Sequence, residues 1–474
     1  MGQARLRGTQ DERRREAIKL QNAPFVEGLG DPEQIDALRA GLKMFMDRLT
    51  PEQWRTRRVA VLDYLRGRPQ AQELVNAKSI RVQEDEIAWY LFLCEQALEH
   101  PGCTDVSQSQ RTLPFFAGIG ARARHASKVK RLNERVDAVL HDYRKEPDGL
   151  LFEILVALSY AEVGWEVEFL PESDKKTPDM LVRLGEQELY VECKRMSRRT
   201  EYAEQERNDF LKLWEPVKHL LLSQREWLWF NVAFHVEPST LPASFLADTI
   251  ARALPIGISA RRILDTPDVT IDARRIDQAA VKRHLEGNYV KQNSPMLSRV
   301  IGGDWAPENA EVTLLHAIKV AHLKGCDVPA LGAYVDDISF ACGMTRQFDS
   351  DISIDKKAKD IIKSLSKAVK QVPDDKPSII HIAAETMEGA AVEMRRTEKL
   401  LKLIPEFITG KPVLGVHFHR LQAHQRALKL FEIDETVDKY WTDGISLRAV
   451  PKSAVVPAGS PMAGGTHWEL YPQR

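Results

Sequence analysis

Thr177-Pro178-Asp179-Met180-Leu181-Val182-Arg183-Leu184, Gly185-Glu186 and Gln187-Glu188-Leu189-Tyr190-Val191-Glu192-Cys193-Lys194 read, in that order, as a strand, a tight turn and a second strand. Apolar residues alternate along both arms, as half-buried strands require. Glycine at the first of two loop positions suits a type II′ hairpin turn. If Leu184 faces Gln187 across that turn, the same register sets Asp179 opposite Glu192. Facing residues of an antiparallel pair hold their Cβ atoms roughly 4.5–5.5 Å apart, near enough for two carboxylates to share a cation. Side chains alternate with period two, so Lys194 joins Glu192 on one face while Val191 and Cys193 turn to the core.

Upstream, Asp148-Gly149 precedes Leu150, Leu151, Ile154, Leu155, Leu158 and Ala161, the spacing of a buried helix that carries Glu153. Gly164 ends it, and Trp165 to Leu170 alternates as a short strand. Two opposed carboxylates resist joint ionisation, and a hard divalent ion resolves the conflict. Such an ion lowers the pKa of water and offsets charge on a phosphorane-like transition state. Lys194 would orient or deprotonate that water and hold the phosphate. Glu153 would complete the set, through water or at a second ion.

The constellation Pro178-Asp179, Glu192-x-Lys194 and upstream Glu153 resembles the PD-(D/E)xK nuclease superfamily over about residues 147–236, roughly a fifth of the 474-residue chain. The resemblance implies a restriction-endonuclease-like α/β core, a mixed sheet flanked by helices. It also implies metal binding by Asp179, Glu192 and Glu153, water activation by Lys194, and Mg2+ as cofactor with Mn2+ as a substitute. The expected activity is hydrolysis of phosphodiester bonds, with DNA expected over RNA as partner, in defence or DNA processing. A homodimer would suit cutting of both strands. The alternatives are an RNA-cutting toxin and a catalytically silent nucleic-acid-binding module. Arg198, Arg199 and Gln205 follow the motif without a role that spacing assigns.

Around this core the chain divides into four. Residues 1–145 read as mainly helical: Asp31-Pro32 and Thr50-Pro51-Glu52 are helix starts, and Trp89, Leu91, Leu93 and Ala97 continue the pattern. Residues 146–237 form the nuclease-like core, closed by a charged helix near Glu201–Leu222 and an aromatic strand at Trp227–Phe234. Residues 238–345 read as an insertion or small mixed domain. Residues 346–474 return to α/β texture, with strands at Ser378–Ala383 and Val413–Phe418 that either extend the first sheet or build another.

Lys and Arg number 67 against 68 Asp and Glu, a formal net charge of -1, so no whole-molecule field attracts a polyanion. The densest basic run, Arg122, Arg124, Lys128, Lys130, Arg131 and Arg135, reads as a solvated helix face in preference to a phosphate-tracking one. Five scattered cysteines without a C-x-x-C pair suggest neither a disulfide framework nor a zinc ribbon and fit a cytoplasmic setting. The charged segment Met1–Lys19 lacks a leader's apolar stretch, and no run is long enough to span a bilayer. His417 and His419 share a strand face with His424 beyond. They read as partly exposed residues closing a strand and opening a helix, since no Cys or carboxylate stands at ligand spacing. Gly410-Lys411 lacks the rest of a phosphate-cradling loop, and Trp227, Trp229 and Phe230 read as a buried strand.

Overall fold

The computed structural model describes residues 31–67, 82, 84–171, 177–196, 199–258, 260–303, 311–407, 410–424, 430–442 and 449–457. Met1–Lys19, Arg198 and the tail from 458 lie outside the described residues. What is described is an α/β protein with two mixed sheets, thirteen α-helices and a helical N-terminal region.

That region comprises α1 (Pro32–Met46), α2 (Pro51–Arg66), α3 (Glu86–Glu99), α4 (Val106–Ala121), the two-residue β1 (Val129–Lys130) and α5 (Leu132–His141). Asp31 caps α1 by accepting the Glu33 N–H, and Thr50 and Gln53 form a capping box on α2. α1 and α4 meet backbone to backbone. A Cβ on Gly120 would stand 1.8 Å from the Ala37 carbonyl oxygen, so only glycine fits there.

α6 (Asp148–Glu162) is buried along nearly its whole length and ends before Gly164, whose φ of +107° favours glycine. β2 (Glu166–Phe169), β3 (Met180–Leu184) and β4 (Gln187–Arg195) then form an antiparallel meander. Leu184 pairs with Gln187 and Met180 with Val191, the register read from the sequence. Gly185 has φ +58° while Glu186 stays at negative φ, as a type II′ turn requires.

The chain then leaves this sheet. α7 (Glu201–Gln224), β5 (Leu228–Phe234), α8 (Phe245–Ala253), β6 (Arg261–Asp265), β7 (Val269–Arg275), α9 (Gln278–Gly287), α10 (Pro295–Gly302), β8 (Glu311–His322) and β9 (Ala333–Phe348) follow. Their strands make a second sheet in the order β6-β7-β5-β9-β8. The aromatic strand β5 therefore does not close the first sheet. Trp229 and Phe234 share a core with Phe210 and Trp214 of α7, so the chain on both sides of position 238 serves one hydrophobic cluster.

α11 (Asp351–Lys357), α12 (Asp360–Val369), β10 (Ser378–Glu385), α13 (Ala390–Phe407), β11 (Val413–His424) and β12 (Glu432–Trp441) complete the chain. Their strands extend the first sheet to β1-β2-β3-β4-β10-β11-β12. β10 lies parallel to β4, with Glu192 opposite Ile380 and Cys193 opposite His381. Its Ser378–Ala384 run is wholly buried, as a central parallel strand must be. α6 covers one face, packing Ile154, Leu155 and Leu158 with Val191, Ile379 and Ala383. α12 and α13 cover the other, packing Ile361, Leu365 and Leu400 with Ile380, Ile382 and Phe418.

No described helix is long and apolar enough to cross a membrane. Cys103 and Cys326 form a disulfide with Cα atoms 5.8 Å apart, which the scattered cysteines did not suggest. The partners are 223 residues apart in sequence, and the bond ties the helical region to the loop before β9.

Candidate functional site

Asp179 immediately precedes β3, and its backbone carbonyl accepts the Leu170 N–H at 3.0 Å. Its carboxylate Oδ2 accepts the Cys193 backbone N–H at 2.6 Å, which locks the side chain across the mouth of the hairpin. Glu192 is fully buried on β4, on the sheet face shared with Ile380 and Ile382. The Lys194 ammonium makes an ion pair with Glu192 Oε1. Glu192 Oε2 has no hydrogen-bond partner. Glu153 comes from α6, 8% exposed, and is held by the Arg135 guanidinium, which also stands 3.9 Å from Asp179.

Charges so crowded and so dry disturb one another. Burial, reinforced by the Asp179 charge, pushes the Glu192 carboxyl up to about 9 and the Glu153 carboxyl up to about 8. Lys194 and Arg135 oppose those shifts without cancelling them. Burial works against the Lys194 ammonium, yet Glu192 and Asp179 outweigh it and hold its pKa above the usual lysine value. The Cys193 thiol, buried behind β4, is pushed well above its ordinary range, so it is a packing group and not a nucleophile.

All four residues read from the hairpin and helix thus interact at one place. Arg135 is the member the sequence reading missed, because it was taken for part of a solvated face. The basic run is in fact broken among a 3₁₀ turn (Ala123–Lys128), β1 and the start of α5. Arg122 is wholly buried against Glu162 and the Val456 carbonyl, and Arg131 pairs with Glu134. Arg199, which follows the motif, pairs with Glu311 of the second sheet, while the Gln205 amide donates to Asp209.

Among the described residues, the metal-ligating side chains whose ligand atoms all lie within 4.8 Å of one another are His381, His417 and His419. The Arg135 guanidinium contacts both Glu153 and Asp179. The three carboxyls still fit a divalent cation chemically: Glu153 and Glu192 are carboxyls whose ionisation is opposed by burial and then by the Asp179 charge, and Glu192 carries an unpartnered oxygen.

The histidine expectation is corrected as well. His417 and His419 are buried, 0% and 2% exposed, and β11 runs on as a strand to His424 instead of turning helical. His424 pairs with Asp434 at 2.8 Å, and the third member of the cluster is His381 of the neighbouring strand. Nothing in the spacing of residues 417–424 could have named a partner from β10. Comparison with protein-family models, curated proteins and solved structures gave no significant match.

Proposed function

We propose that the chain is a divalent-metal-dependent nuclease that hydrolyses phosphodiester bonds, with Mg2+ as cofactor and DNA as substrate. The observation that carries this reading is the convergence of Asp179, Glu192, Lys194 and Glu153 on one buried charge cluster. The hairpin register, set by the Gly185-Glu186 turn and the apolar alternation together, supports the hairpin part of it. The order helix, three strands, helix, strand also supports it, with α12 and β10 in the places first given to α7 and β5.

In this reading Asp179, Glu192 and Glu153 hold the ion, which when bound lowers the pKa of water and offsets phosphate charge. Asp179 is pre-positioned for that role by the Cys193 N–H. Lys194, still tethered to β4, turns its ammonium from Glu192 to a phosphate oxygen and orients the attacking water. Arg135 releases Glu153 and Asp179 and becomes a second cation for the phosphate, where a planar guanidinium binds well. Arg135 is thus a built-in counter-ion that keeps the acidic cluster folded until it is loaded.

A second reading has a specific observation in its favour. Arg135 and Lys194 already pair with Glu153 and Glu192, so a nucleic-acid-binding module without catalysis could use the same cluster as a static ion-pair network. Incubation with plasmid, linear, single-stranded and branched DNA, and with RNA, in Mg2+ or Mn2+ separates the two. The nuclease reading expects metal-dependent cutting of DNA and a fall of about 10²–10⁴-fold in Lys194→Ala. Intact substrates throughout, or cutting that Lys194→Ala leaves unchanged, rejects it. Cutting of RNA alone moves the assignment to an RNA-directed effector.

A further inference from the structure

The sheet face behind Glu192 carries three histidines from two adjacent strands. His381 of β10 pairs directly with His417 of β11, and His419, two residues on, shares the face of His417. None is more than 2% exposed. The His381 ring centroid lies 4.7 Å from that of His417 and 5.1 Å from that of His419.

The outer nitrogens of two rings are fixed from behind. His419 Nδ1 lies 2.7 Å from Glu435 Oε1, and Glu435 also accepts the backbone N–H groups of Ala454, Val455 and Val456, each at 2.8 Å. A carboxylate with three N–H donors is held as an ionised acceptor, so His419 carries its proton on Nδ1 and leaves the Nε2 lone pair bare. That lone pair faces His381 Nδ1 at 2.9 Å, while His381 Nε2 lies 3.1 Å from the Tyr160 hydroxyl. Proteins orient metal-binding imidazoles in this way, with an outer carboxylate or hydroxyl holding the far nitrogen. His417 supplies an independent observation. It is 0% exposed, and neither of its nitrogens has a hydrogen-bond partner. Buried orphans of that kind are costly and call for an explanation.

We propose that His381, His417 and His419 form a binding site for one divalent transition-metal ion of the zinc class, separate from the carboxylate cluster. Neutral imidazole nitrogens suit zinc, copper, nickel and iron, whereas magnesium takes oxygen ligands. Metal–nitrogen bonds of about 2.0–2.1 Å at tetrahedral angles set nitrogens about 3.3 Å apart, so small ring rotations close the site from its present 4.8 Å limit. No net proton need leave. His381 changes tautomer, donating Nε2–H to the Tyr160 oxygen and freeing Nδ1 for the ion. Lys439 works against the charge: it stands opposite His417 on β12, its ammonium donating to the Pro451 carbonyl at 2.9 Å. Glu435 offsets it. The ion would join β10 and β11 to α6 through Tyr160 and to β12 through Glu435, one strand away from the Glu192–Lys194 strand.

The test uses full-length protein stripped with chelator and titrated with Co2+, then with Zn2+. One equivalent of Co2+ is expected to give visible ligand-field bands that Zn2+ abolishes, unchanged in Asp179→Asn and absent in His417→Ala. Zn2+ should raise the thermal midpoint of the wild type and not that of His417→Ala. Because His417→Ala could fold poorly, Glu435→Gln provides a milder probe. It should keep the bands while weakening Zn2+ binding about 10- to 100-fold, and Lys439→Met should tighten binding. Absence of bands in the wild type, bands that persist in His417→Ala, or Zn2+ affinity unmoved by Glu435→Gln overturns the proposal. The Asp179→Asn control keeps its failure distinct from failure of the nuclease reading.

Discussion

Replacing Glu192 with glutamine should make the metal-free protein more stable while removing its response to magnesium. In the fold the Glu192 carboxyl titrates near 9, against an ordinary value of 4.5. A carboxyl with a raised folded pKa holds its proton more tightly in the fold. Its contribution to stability is therefore complete below about pH 4.5 and is lost as pH climbs toward 9. At pH 7.5 the roughly three-unit gap above the unfolded pKa costs up to about 4 kcal/mol, at 1.36 kcal/mol per unit. Relaxation around the site and coupling to Glu153 and Asp179 bring the expected gain in Glu192→Gln to about 2 kcal/mol. The amide keeps the shape and can still accept from Lys194. Denaturant unfolding in EDTA at pH 6, 7.5 and 9 should show wild-type stability falling with pH and a shallower fall in the variant. Added Mg2+ should stabilise the wild type alone, more strongly at higher pH, because the ion competes with protons. A variant less stable than the wild type at pH 7.5, or one with the same pH slope, would refute the reasoning.

Arg135→Met leaves the buried, proton-holding Glu153 carboxyl without its guanidinium partner, so the metal-free protein should lose about 1–3 kcal/mol. Mg2+ should restore a larger share of that stability than it adds to the wild type, as followed by thermal midpoints with and without the ion. Cys103→Ser, or reduction of the disulfide, opens a loop spanning 223 residues of sequence and should lower stability by up to about 5 kcal/mol. Unfolding in the presence and absence of reductant measures this, and identical midpoints would show that the bond adds nothing.

The hairpin was legible because its information is local. Gly185-Glu186 sets the turn, apolar alternation sets the faces, and together they fix Asp179 against Glu192 before any tertiary contact is known. α1 and α2 were legible for the same reason, through Asp31, Pro32, Thr50 and Pro51. What escaped depends on pairings between distant segments. β10 lies beside β4 although β5 follows β4 in the chain, and only the burial of Trp229 and Phe234 against α7 decides between them. His381 joins His417 through a parallel register that no spacing encodes. Arg135 looked like one more solvated cation because its partners Glu153 and Asp179 lie on other elements. Cys103 and Cys326 meet only once the helical region docks on the loop before β9.

Anomalous scattering from protein crystals soaked in Mn2+ bears most directly on the claim that the acidic cluster is a metal site. A peak among the Asp179, Glu192 and Glu153 carboxylates, with the Arg135 guanidinium moved off Glu153, is the predicted result. Crystals with no manganese there, and with Arg135 still holding Glu153 and standing against Asp179, would contradict it.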